Sequence, residues 1–531
     1  MLLAESATYA PHILGVLPFV ALLLAIAILP LIRRAAHWWE RNRHKLLVAG
    51  TLAAITLLYY GLRPVGVVTH GESRHGEPAA PTAGHGEPAG PTAGHGAPSP
   101  DGHGPAGEHG DAPAEARSHA PAPGAGGAPS AHGGQVAGHT EHRTAPGLET
   151  VKAVLHHAVI GEFVPFMVLL FSLYVVAGGI VVRGDLPATP RVNTAILATG
   201  AFLASLIGTT GAAMVLIRLL LRTNAERRLK VHTFVFFIFI VANIGGSLLP
   251  IGDPPLFLGY LMGVDFLWTL RLGPHWALTV GSLLLIYYFW DSWAYRHETP
   301  RPMQRDNLLR QPLNVVGRIN LVWMLGVVLA VATLSPGKTF PGTAWEAPPH
   351  LREVVQLAFA GLSLLTTPRG YRRENQFNYA AINEVGCLFI GIFITMQVPI
   401  EILQARGGEL GLLRPWQFFW ATGILSSVLD NAPTYVVFFT TAGTLTPPGM
   451  HLLTGVRTAT GQIPEELLLA ISCGAVFMGA NTYLGNGPNF MVKAIAEQSG
   501  VKMPSFFGYM AFSCGILIPL FVGLTFLFFR G

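Results

Sequence analysis

Four carboxylates, Glu162, Asp253, Glu384 and Asp430, fall within stretches apolar enough to lie in a bilayer. A charged side chain at the centre of a spanning helix costs at least about 2.5–3.5 kcal/mol, so each is a candidate for ion chemistry. Neutral oxygens accompany them. Thr209 and Thr210 occupy G-T-T-G, Asn431 and Thr434 occupy L-D-N-A-P-T, and Asn243, Asn481, Asn486 and Asn489 flank glycine-rich interruptions. Carboxylate, amide, hydroxyl and freed backbone carbonyl oxygens suit a hard cation such as sodium once its water is stripped. Helix N-termini favour anions instead, so these residue types leave the sign of the bound species open. A structural role competes with each chemical one. Asp253 and Asp430 are placed to cap the helices that follow them, and Glu162 and Glu384 are equally suited to span ends near water or to pairing with a loop arginine. For the aspartates the charge argues for an ion site, because a neutral residue caps as well, as Asn486 is expected to do.

The elements that must position these residues are interrupted helices. Val231 to Ala242 is nearly all Val, Phe and Ile and enters the bilayer as helix. Asn243 to Phe257 then runs N-I-G-G-S-L-L-P-I-G-D-P-P-L-F, where helix costs about 1 kcal/mol per Gly and about 3 per Pro. Pro254 and Pro255 suit the first turn of a new helix, with Asp253 before it. Irregular backbone at membrane depth is tolerated only inside protein or beside a wet cavity. Gly479 to Phe490, G-A-N-T-Y-L-G-N-G-P-N-F, repeats the pattern: registering Gly485 on Gly252 aligns Asn486 with Asp253, Pro488 with Pro255 and Gly479 with Gly246. Paired broken helices in two halves of a membrane chain point to a secondary transporter's binding site.

Only 12% of the 531 residues are charged and 51% are hydrophobic, against roughly 25% charged in soluble domains. The modest +5 charge sits in loops, which fits membrane topology and gives no sign of nucleic-acid binding. Cys387, Cys473 and Cys514 lie in apolar segments and suggest neither disulfides nor a thiolate metal site. The expected fold is an all-α polytopic membrane protein. Residues 1–62 form two spans, the first an uncleaved anchor, with an outward N-terminus because Arg33 to Lys45 is basic. Residues 63–149 are an extracytoplasmic His/Gly/Pro-rich loop, expected to be disordered for want of apolar residues. Its repeat H-G-E-P-A-x-P-T-A-G begins at His75 and His85, with a degraded copy at His95. It is either a weak metal or pH-sensing tether or a drifting low-complexity insertion.

Residues 150–293 form a first repeat: a span from Glu162 to Val182, a re-entrant hairpin from Val192 to Leu221 with basic residues at both ends, the broken helix, and a span from Trp276 to Trp293. Residues 294–376 connect it to residues 377–531. There Asn378 to Ile402, a hairpin centred on S-S-V-L-D-N-A-P-T-Y, the second broken helix and a final span repeat the order with opposite orientation. The result is an inverted-topology repeat with two re-entrant hairpins and two discontinuous helices.

The stretches E-F-V-P-F-M-V-L-L-F-S-L-Y-V-V-A-G-G-I, N-I-G-G-S-L-L-P-I-G-D-P-P-L-F-L-G, S-S-V-L-D-N-A-P-T-Y and G-N-G-P-N-F-M-V-K-A-I-A-E resemble the ion transporter superfamily, in its branch of NhaD-type sodium/proton antiporters and citrate-transporter-like proteins. The resemblance runs from about Glu162 to the C-terminus and implies elevator-type alternating access. Dicarboxylate carriers of the superfamily have Ser-Asn-Thr at their hairpin tips; Gly-Thr-Thr-Gly and Leu-Asp-Asn-Ala-Pro-Thr here resemble the sodium/proton and arsenite branches instead. The expected function is sodium(lithium)/proton antiport, with Asp253, Asp430, Asn431, Thr209, Thr210, Asn243, Asn481, Asn486, Glu162 and Glu384 as ion-site candidates. No cofactor and no enzymatic activity are expected beyond the transported sodium and protons. The partners are the plasma (inner) membrane lipids and small cations, with a homodimer left open. The alternatives are a citrate-like carboxylate or arsenite/oxyanion transporter of the same superfamily, and a metal-sensing membrane protein built around the histidine loop.

Overall fold

Where Gly and Pro are scattered rather than clustered, the apolar runs form helices of membrane length, and Phe506–Phe528 accommodates Pro519 in its interior. The computed structural model describes residues 11–39, 41–70, 141–298, 311–334, 343, 345–446, 455–458 and 461–530. Among these, six helical stretches are long and apolar enough to cross a bilayer, and three shorter apolar helices accompany them. The protein is a polytopic helical membrane protein. The chain divides into two compact units, Met1–Val67 with Thr144–Gly531, and Val68–Arg143. The described part of the smaller unit is an antiparallel pair, β1 (Val68–His70) with β2 (Glu141–Arg143), with Thr69 opposite His142. His75, His85 and His95 lie outside the described residues.

The larger unit begins with α1 (Leu17–Ile28), α2 (Arg33–Trp39) and α3 (Asn42–Leu62). Next, α4 (Leu148–Leu155) runs through a π-helical stretch, His156–Phe163, into α5 (Val164–Ala177). The span expected from Glu162 to Val182 is thus displaced. Helix starts at Leu148 and stops before Gly178, and the β-branched residues beyond Gly179 leave it as β3 (Val181–Asp185), antiparallel to β4 (Gln311–Val316).

Then α6 (Pro190–Ile207) and α7 (Thr209–Thr223) pack along each other, joined at Gly208. Its φ of 79° and ψ of 150° suit glycine, which carries no Cβ to clash. The interrupted helix follows as α8 (Val231–Ile240) and α9 (Pro254–Leu261), and α10 (Gly273–Arg296) closes this half.

The connecting helices are α11 (Ile319–Thr333), α12 (Leu351–Thr366) and α13 (Arg369–Glu374). The second half contains α14 (Ala380–Thr395), α15 (Gln397–Arg406), α16 (Pro415–Val428), α17 (Asn431–Gly443), α18 (Glu465–Met478), α19 (Gly487–Gln498) and α20 (Phe506–Phe528). Pro415 opens α16, and Gln417 Oε1 reaches back to accept from the backbone N–H of Leu413 and Arg414 at 2.9 Å each, which ties the entering chain to the first turn.

Residues 234–242 are wholly buried, so the apolar α8 is enclosed on every side rather than facing lipid. Phe166 of α5 stacks on Phe389 of α14 at 4.9 Å, joining the first helices of the two halves. In each interruption two glycines bring backbone against backbone: a Cβ on Gly252 would collide with the Gly246 carbonyl, and one on Gly485 with the Gly479 carbonyl. These are the pairs that the sequence registers on one another.

Candidate functional site

Asp253 ends the irregular segment before α9 in extended conformation, φ −144° and ψ 143°. Its position invites capping, yet the carboxylate makes no hydrogen bond to its own helix. It turns inward, 1% exposed. There it accepts from Thr209 Oγ1 at 3.0 Å, Asn431 Nδ2 at 2.6 Å and Asn486 Nδ2 at 3.0 Å. Thr209 opens α7, Asn431 opens α17, and Asn486 immediately precedes α19. One carboxylate therefore gathers both helix-pair junctions and both interruptions. All three donors are neutral, and among the described residues no Lys, Arg or His pairs with Asp253.

Asn486 corrects one expectation. Its side chain does not cap α19; it donates to Asp253 and, at 3.2 Å, to the Ala242 carbonyl. Asp430 meets the structural alternative instead: its carboxylate accepts the Ala432 backbone N–H at 3.1 Å and so caps α17. Thr210 is half-buried on the first turn of α7.

Several buried oxygens in this region have no donor. Asn431 Oδ1, Asn243 Oδ1 and Asn481 Oδ1 are all without a hydrogen-bond partner. A buried acceptor left this way costs about 1–3 kcal/mol, unless water or an ion fills the gap. Asn481 Nδ2 donates to Ser427 Oγ at 2.8 Å, which leaves its carbonyl open. The Asn243 oxygen lies close against Gly479, where a Cβ would stand 3.1 Å from Gly485 O, 3.2 Å from Asn243 Oδ1 and 3.6 Å from Ser426 Oγ. Three oxygens that converge on one glycine, one of them without a donor, are of the types that bind a water or a hard cation.

The glutamates engage other partners. Glu384 accepts from Lys45 Nζ at 2.5 Å and is half-exposed. Glu162, on the π-helical stretch, accepts from Gln397 Nε2 at 3.0 Å, with His157 Nε2 3.6 Å away. Neither is among the partners of Asp253. Lys45, Gln397, Ser426 and Ser427 were not signalled by the sequence; the only hint was that the two serines lie within one helical turn before Asp430. Among the described residues no group of three or more His, Cys, Asp or Glu side chains is arranged to hold a metal, and the three cysteines are free.

Interrupted apolar helices around a buried polar site define a multi-pass membrane transporter of the secondary class. The family described as "Putative citrate transport" matches residues 137–529, well over half of the chain, and the chain belongs to that family. No curated protein matches it. The helices α1 to α3 lie before the matched region.

Proposed function

We propose that the protein exchanges sodium or lithium for protons, with Asp253 as the site for which the cations compete. The observation that carries this reading is a buried carboxylate held by three neutral donors and, among the described residues, by no cation. Such a group is stable at membrane depth when it binds a proton or a metal cation, and the two are then mutually exclusive. Protonated, it keeps part of its hydrogen bonding; ionised, it acquires a cation for which Asn431 Oδ1 and the oxygens above Gly479 offer further ligands.

In this reading α6–α7 and α16–α17 are re-entrant hairpins whose tips meet at Asp253, and residues 150–293 and 377–531 are inverted repeats. The paired glycine contacts at equivalent places in the two interruptions support that register. Alternating access is then elevator-like: the hairpins and broken helices carry the site past a frame containing α5 and α14. Asp430, beside Asn431 at the second tip, contributes charge and fixes the start of α17.

A citrate-like substrate is the second reading, favoured by the family description. The unpaired negative charge at the centre weighs against a carboxylate anion unless a cation binds first. Purified protein in proteoliposomes, with proton flux followed by a pH dye as sodium, lithium, potassium and citrate are added in turn, separates the two. Flux driven by sodium or lithium alone supports exchange; flux that needs citrate supports the second.

A further inference from the structure

We propose that Asn489 is a positioning residue that turns the Asn243 carbonyl oxygen toward the transported cation; this rests on the cation-exchange reading above. The argument follows amide hydrogens. Asn489, wholly buried on the first turn of α19, donates both Nδ2 hydrogens to carbonyls of the preceding interruption, Gly479 O and Thr482 O, each at 2.9 Å. Its Oδ1 is thereby fixed in the opposite direction, where it accepts from Asn243 Nδ2 at 2.6 Å. The second hydrogen of Asn243 goes to Ile238 O at 2.8 Å. With both donors spent, Asn243 has one orientation left, and its Oδ1 lies against Gly479, beside Gly485 O and Ser426 Oγ, without a partner. Reversing either amide would set oxygen against oxygen. The open acceptor is therefore held in place by a chain of hydrogen bonds that starts at the backbone of the second interruption and ends at the first.

The two halves are unequal here. In the register that aligns Gly479 with Gly246, Asn489 corresponds to Leu256 and Asn243 to Val476. Both are apolar and buried, 2% and 0% exposed. An interruption of this kind thus packs without the asparagine pair. The polar pair is an addition on one side of the site, and it presents an oxygen where the other side has only hydrocarbon.

The test uses full-length protein and four variants: Asn489→Leu, the double Asn243→Val with Asn489→Leu, Asn489→Asp, and Asp253→Asn. Two quantities are measured: the sodium concentration giving half of the full rise in melting temperature, with choline holding ionic strength constant, and the half-saturating sodium and maximal rate of exchange in proteoliposomes. Loss of an orienting partner typically weakens metal binding about 10–100-fold. Asn489→Leu and the double variant should need at least about tenfold more sodium in both assays, while maximal rate and membrane abundance change far less. Asn489→Asp keeps an acceptor for Asn243 Nδ2 but sets a carboxylate oxygen against Gly479 O and Thr482 O, so it too should raise the sodium requirement. The double variant, which copies the Val476 and Leu256 pairing of the other half, guards against a stranded amide preventing folding. Wild-type sodium dependence in the double variant, or lost abundance and rate at unchanged half-saturation, overturns the positioning role. If wild type itself shows no sodium response while Asp253→Asn behaves like it, the exchange reading fails, and the positioning role with it.

Discussion

Asp253 Oδ2 and Asn431 Nδ2 lie 2.6 Å apart across 178 residues of chain, a buried hydrogen bond that joins the two halves of the protein. Asn431 stands beside Asp430, but the two aspartates differ in what holds them. Asp253 is served by side chains from three other elements, whereas Asp430 is engaged by the backbone of its own helix. The structure therefore ranks carboxylates that the sequence presents as equals.

The Lys45–Glu384 pair predicts an unequal response to its two removals. Lys45 is buried and Glu384 half-exposed. Glu384→Gln strands a buried ammonium and should cost more than the roughly 1 kcal/mol of an exposed pair, though less than the 3–5 of a fully buried one. Lys45→Met frees a carboxylate that already reaches water and should cost less. The double variant should keep sodium-dependent exchange when tested in proteoliposomes. Lost exchange at normal abundance in the double variant would place Glu384 in the ion path.

A shortened insert should be tolerated. Inside the larger unit its two ends are already clipped, with Thr144 N donating to Val67 O at 2.9 Å and Val67 N to Thr144 Oγ1 at 3.1 Å. Thr69 and His142 sit opposite each other, so replacing the residues between them by an Asn-Gly turn gives a two-residue hairpin of favoured geometry. Loop-closure entropy changes by only about 0.6 kcal/mol per doubling of length. Membrane abundance and maximal exchange should match the full chain, and any altered response to zinc or pH would report on the deleted histidines. A variant that reaches the membrane but carries no cation-dependent flux would make the insert part of the transport machinery.

The repeat's orientation is testable with two exposed positions. In a background lacking Cys387, Cys473 and Cys514, Ala225→Cys, after α7, and Arg457→Cys, after α17, should react with an impermeant thiol reagent from opposite faces. Labelling of both from one face contradicts the inverted repeat.

Outside the spans, Arg183 donates to both carboxylate oxygens of Glu374, at 2.8 to 3.1 Å. Those hydrogen bonds, and secondarily the guanidinium charge, hold the Glu374 carboxyl below its ordinary value. A depressed folded-state value contributes stability above the unfolded carboxyl's value of about 4.3, and that contribution is lost as pH falls through the lowered one. Both groups are substantially exposed, so Glu374→Gln should cost at most about 1 kcal/mol at pH 7. The difference in melting temperature from wild type should shrink toward zero as pH falls below 4. A difference that grows on acidification contradicts the pairing.

Much of this is legible in the amino-acid sequence, for physical reasons that differ by residue. The interruptions announce themselves because Gly245, Gly246, Pro250 and Gly252 cannot all sit in helix, and Asp253 stands out because its charge is costly there. What was not legible is direction. A residue before a helix is equally able to cap it or to turn away, and only the fold shows that Asp430 caps while Asn486 reaches to Asp253. Long-range partners were also hidden. Lys45 reads as one more loop cation, and nothing local marks it as the partner of a glutamate 339 residues away. The π-helical turn at His156–Phe163 leaves no periodic trace that separates it from α-helix.

Cation competition at Asp253 is tested most directly by sodium-driven proton flux in proteoliposomes, measured for wild type, Asp253→Asn and Asp430→Asn across pH. Asp253→Asn keeps the shape but has no charge to exchange, so flux should fall to the protein-free level with abundance unchanged. Asp430→Asn retains a capping oxygen and should keep flux with altered sodium affinity. In wild type the half-saturating sodium concentration should climb as pH falls, approaching about tenfold per unit where the proton dominates, because the two cations exclude each other. Sodium-driven flux in Asp253→Asn at the wild-type rate, with a half-saturation indifferent to pH, would contradict the account.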